Sequence, residues 1–131
     1  MSEMPLRVGQ PLTIESLQLH LAAGELRLSG MLTTSSAYME LGRQLAIVHD
    51  HVVSQKFPSF AVNVRALRFV NSSAVRLFVN WISWAEQAGY RLVFLTERDV
   101  TWHRLSFSAL KSLSPRTVEI QETQPGAGGP A

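Results

Sequence analysis

The sequence predicts an α/β fold: a mixed, mostly parallel sheet of four or five strands, with an N-terminal hairpin and a cover of helices. Three observations predict it. Period-two runs alternate with stretches of helical spacing, the chain opens on a hairpin pattern, and Asn71-Ser72-Ser73 sits where a buried strand hands over to a helix.

The elements follow in order. Leu12, Ile14, Leu17, Leu19 and Leu21 alternate with polar residues, with one slip at Glu15-Ser16. Ala22-Ala23-Gly24 turns the chain, and Glu25 to Gly30 alternates again, so the two runs read as a hairpin with one wet face. Thr33, Thr34, Ser35 and Ser36 offer caps for a first helix, whose Tyr38, Leu41, Leu45, Val48 and Val52 form one apolar stripe. Pro58 separates it from a strand through Phe60–Val70. A second helix begins at Ala74-Val75 and runs to about Gly89. Arg91-Leu92-Val93-Phe94-Leu95 suits a covered parallel strand, a third helix spans about Val100 to Leu113, and Thr117–Ile120 makes the last strand. The predicted order is β-β-α-β-α-β-α-β, with no internal repeat. It divides into an arm at 1–10, a domain at 11–121 and a disordered Gly/Pro-rich tail at 122–131.

Composition narrows the function. A chain of 131 residues with 46% hydrophobic and 17% charged residues fits one globular core. The net charge is only +2, and the arginines (Arg7, Arg27, Arg43, Arg65, Arg68, Arg76, Arg91, Arg98, Arg104, Arg116) are scattered, which argues against nucleic acid. Without cysteine there is no disulfide, thiolate metal site or cysteine nucleophile. His20, His49, His51 and His103 lack metal-ligand spacing, and no stretch reaches the ~18–20 apolar residues of a membrane span. The first residues lack the order of a signal peptide, so a cytoplasmic location is expected. A strand-turn-serine-helix also suits a hydrolase nucleophile, but that needs Gly-x-Ser-x-Gly, and here Asn71 and Val75 flank the pair. No catalytic residue, metal or cofactor is expected.

The hydroxyls of Ser72 and Ser73 stand where helix-start N–H groups need acceptors and where the helix dipole favours a phosphate. With Leu28-Ser29-Gly30-Met31-Leu32, Phe69-Val70-Asn71-Ser72-Ser73-Ala74-Val75 and Ala85 to Phe94 in place, the chain from Leu12 to Gln121 resembles a STAS domain, the fold of bacterial anti-sigma factor antagonists. That family's motif usually reads Asp-Ser-Ser/Thr-Gly, and a partner kinase phosphorylates its second hydroxyl residue, which falls on Ser73, with Ser72 as second choice. Asn71 and Ala74 depart from the usual aspartate and glycine, which alters the charge beside the serine. Asn-Ser-Ser, with Trp102 early in the final helix, resembles a subset of STAS-like regulators.

The second helix carries a wide apolar arc. Val75, Phe78, Val79, Ile82 and Ala85 form its centre, and Leu77, Trp81, Trp84 and Ala88 widen it. Either neighbouring helices bury the excess, or Leu77 and Trp84 join Asn71, Ser72, Ser73 and Arg76 in a docking surface. Arg76, one turn on from Ser72, would pair with a phosphate. The resemblance implies a non-enzymatic switch that binds a serine kinase/anti-sigma factor of histidine-kinase-like fold, is released by phosphorylation of Ser73, and is reset by a PP2C-type phosphatase. ATP would belong to the kinase. The alternative is a STAS adaptor subunit of a lipid or solute transporter.

Overall fold

The protein is described by a computed structural model over residues 6–32, 34–70 and 72–123. Its elements are β1 (Leu12–Ile14), β2 (Leu17–Ala22), β3 (Glu25–Leu32), α1 (Ser35–Gln55), β4 (Ser59–Val70), α2 (Ser72–Ala88), β5 (Arg91–Thr96), α3 (Thr101–Leu113) and β6 (Val118–Glu122). They form one six-stranded sheet in chain order, antiparallel from β1 to β3 and parallel from β3 to β6.

The sheet has one strand more than expected, because Glu15-Ser16 is a turn rather than a slip. It pairs Ile14 with Leu17 and reverses the phase of the leucine pattern. Glu15 adopts φ 55, and its carboxylate accepts from Thr34 Oγ1 at 2.8 Å and from Ser36 Oγ at 3.0 Å. Thr34 Oγ1 in turn accepts from the Ala37 N–H and caps α1. The turn is therefore fastened to the start of the first helix. Next to it, Gly30 pairs with Leu17 at φ +98, and a Cβ there would overlap the Ser16 carbonyl oxygen.

Each parallel crossover steps to the next strand in one direction, so crossovers of one hand put all three helices on one face. Burial agrees: Phe60, Val62, Val64, Leu92 and Phe94 are buried, while Asn63, Arg65, Val93 and Leu95 between them are only partly covered. The helices thus cover one side of the sheet. Under them Phe78, Phe94 and Phe107 pack with ring centroids 5.0–5.9 Å apart, and Trp81 lies 6.1 Å from Phe60. In α1, Leu41, Leu45, Val48 and Val52 are buried as their spacing predicts.

Within the expected arm, Leu6 is buried and its N–H donates to Gln44 Oε1 of α1 at 2.8 Å, while Gly9 N donates to Leu21 O. Met1–Pro5 lie outside the described residues. So does the tail from Gln124 on, although Glu122 closes β6 and the Thr123 hydroxyl donates to Glu97 Oε2.

Candidate functional site

Strands β3, β4 and β5 each run into a helix, so α1, α2 and α3 all start at one edge of the sheet. The helix holding the serine pair starts two residues earlier than its apolar pattern indicates. Ser72 and Ser73 are its first residues, inside the first turn rather than ahead of it, and both are exposed. Arg76 is exposed one turn on, and Ala74 is fully buried, which fixes the direction in which the pair faces. Asn71 lies outside the described residues.

Leu77 and Trp84 have a different setting from the serines. Both are half-buried and turned toward α1. A Cβ on Gly42 would stand 3.4 Å from Leu77 Cδ2, and the Trp84 ring lies 5.6 Å from that of His49. Between the same two helices, Trp81 Nε1 donates to the Tyr90 hydroxyl at 2.8 Å. The hydroxyl then has its own proton to give to His49 Nδ1, 2.7 Å away. Burial pushes the Tyr90 phenol up to about 12, so it is a neutral link in that chain. Much of the wide arc is therefore spent on helix–helix packing.

Apolar surface at the serine edge comes instead from residues that periodicity did not single out. Met31 and Phe69 are direct neighbours on β3 and β4 and are 44% and 46% exposed. Met39 in the second turn of α1 is 76% exposed, and Leu105 in the second turn of α3 is 70% exposed. Their signal was available only as apolar residues out of phase with their own elements. Arg68 near the end of β4, Arg98 ahead of α3 and Arg104 in its first turn are exposed.

The start of α3 holds two further residues, Trp102, noted above only for its place early in the final helix, and His103, set aside there for lacking metal-ligand spacing. The His103 imidazole is fully buried; Glu97 N donates to its Nδ1 at 3.0 Å, and its Nε2 donates to Leu67 O at 3.1 Å. Burial holds its pKa below the ordinary histidine value, against the opposing pull of the Leu67 carbonyl and of Glu97. Beside it, Trp102 Nε1 donates to Arg68 O at 2.8 Å. Among the described residues no group of His, Cys, Asp or Glu could hold a metal ion, and no helix is long and apolar enough to cross a membrane.

No family model matches the sequence, and no curated protein matches it either. Among solved structures it is similar to an anti-sigma factor antagonist from Mycobacterium paratuberculosis, at 14% identity and TM-score 0.57 over 85% of this chain and 88% of that one. The likeness is one of architecture: this chain has the STAS-like fold of an anti-sigma factor antagonist.

Proposed function

We propose that the chain is a non-enzymatic regulatory module of the anti-sigma factor antagonist type, which docks a protein partner at the edge where α2 begins and is switched by phosphorylation of Ser73. The single observation that carries this reading is the exposure of Ser73 in the first turn of α2, on a scaffold similar to a solved antagonist. The γ-phosphoryl of ATP would pass to Ser73 Oγ with loss of the hydroxyl proton and release of ADP, on a kinase that supplies all the catalytic groups.

The physical consequence of that step is local. A phosphoserine adds charge of about −2 in a turn where the dipole favours it, so the fold tolerates the group. The same charge would stand at the end of the sheet where the exposed Met31, Met39 and Phe69 offer apolar surface, whose docking needs desolvation, so the partner is released. The kinase would be a serine kinase of histidine-kinase-like fold and the resetting enzyme a PP2C-type phosphatase. The Asn-Ser-Ser spelling would assign the chain to its own partner set.

Pull-downs from native lysate test this with wild type, Ser73→Ala and Ser73→Asp, alongside intact mass with and without phosphatase. Ser73→Ala should keep its partner regardless of ATP, and Ser73→Asp should lose it while staying folded. Equal recovery by all three, with no phosphatase-sensitive mass, refutes the switch and favours the transporter-adaptor alternative.

A further inference from the structure

β4 outruns its neighbour. It pairs with β5 only from Ser59 to Asn63, yet continues to Val70 with β3 on its other side. The last seven residues of β4 therefore have a free edge where β5 would be, beside a shallow cleft lined by Arg65, Ala66, Arg68, Glu97, Asp99 and Val100. A free edge leaves backbone groups without a partner strand. At its start Arg65 N donates to Asn63 Oδ1 and the Arg65 guanidinium to Thr96 O and Gln121 O, which leaves the stretch beyond Arg65 to be held by other means. This is the stretch that leads into Ser72 and Ser73.

Two ring N–H groups take the place of the missing strand. His103 Nε2 donates to the carbonyl of Leu67, and Trp102 Nε1 donates to that of Arg68, five residues before Ser73. His103 is itself fixed from the other side by Glu97 N, whose loop is tied to the end of β6 through the Thr123 hydroxyl. The start of α3 is thus clamped to the backbone that carries the start of α2.

We propose that Trp102 and His103 are positioning residues for Ser73. They hold the end of β4 so that kinase and docking partner meet the serine in one place. The proposal rests on the reading of Ser73 as the switched residue. It adds that the first two turns of α3, with exposed Thr101, Arg104 and Leu105, are mechanically joined to that switch. Contact made on α3 is then felt at Ser73 through two backbone carbonyls.

Hydrogen exchange on the full chain tests the clamp without needing a partner. Trp102→Phe keeps an aromatic ring and removes the donor. It should raise opening across residues 66–76 by about three- to tenfold, as loss of one hydrogen bond does, and leave Leu17–Leu28 unchanged. His103→Leu should do the same, while His103→Gln, which still donates to Leu67 O, should stay nearer wild type. No rise at 66–76, or an equal rise everywhere, overturns the proposal. A second readout is the rate at which native lysate with ATP adds phosphate, followed by intact mass. If wild type is modified and Trp102→Phe is modified equally fast, the clamp does not present Ser73. If wild type is never modified, the phosphorylation reading fails by itself, and the exchange data alone decide whether the helix start is held.

Discussion

Replacing Gly30 with alanine should damage the fold through one atom. The residue sits at φ +98, a conformation that L side chains rarely adopt, and an added Cβ would run into the Ser16 carbonyl oxygen and stand 3.2 Å from its carbon. That carbonyl also accepts from Met31 N at 3.1 Å, so it cannot swing away without losing a bond. The backbone strain costs about 1–2 kcal/mol and the forced displacement about 1–3 kcal/mol more. With roughly 3–5 °C per kcal/mol at this chain length, the melting temperature should fall by about 6–25 °C. Gly24→Ala is the control, because Gly24 has φ +82 but nothing within 4 Å of the added Cβ. It should lose only the backbone part, about 1–2 kcal/mol. Thermal melts by circular dichroism and urea titrations on both variants give the difference. If Gly30→Ala melts within a degree or two of Gly24→Ala, the close approach of Ser16 to Gly30 is wrong.

Two further expectations concern buried rings. His103 has a folded pKa below its unfolded value, so below about pH 6.5 the unfolded chain binds more protons and stability falls as pH drops, levelling off below the folded pKa. Melting temperatures from pH 8 to 5 should decline more steeply for wild type than for His103→Gln, and parallel curves would contradict this. Tyr90→Phe removes the hydroxyl that links Trp81 to His49 and leaves a buried indole N–H without its acceptor, at a cost of about 1–3 kcal/mol. Urea denaturation should show that loss with an unchanged m-value, and a neutral result would mean the link is not formed in solution.

Much of this fold was legible in the sequence because its main signals are periodic. The Leu41, Leu45, Val48, Val52 stripe, the Phe60 to Val70 strand and the serine pair at a helix start each depend on spacing alone. The Glu15-Ser16 turn was not legible. It contains no glycine, asparagine or aspartate, and its conformation is secured by hydroxyls 19 and 21 residues away. Nor could spacing show how the arc of α2 is divided between sheet, α1 and solvent, since helical period gives angles and not neighbours. Leu77 and Trp84 were candidates for docking on that ground, and the structure places them against Gly42 and His49. His103 was discounted for lacking metal spacing, whereas its setting depends on two backbone groups that only the folded chain brings together.

The sheet's strand order follows the order of synthesis, with every new strand laid beside its predecessor and none inserted between two older ones. A chain leaving the ribosome therefore always finds the partner for its next strand already made. The same arrangement means that any nascent or truncated chain ends on a fresh, uncovered strand, first β3, then β4, then β5, until β6 arrives. Pairing between such edges in neighbouring chains is the hazard this topology carries. At the border formed by β6 one acceptor is occupied by a side chain. Lys111 reaches from α3 to donate to the carbonyl of Pro115, in the turn ahead of β6, at 3.1 Å and to that of Val118, the first residue of β6, at 2.8 Å.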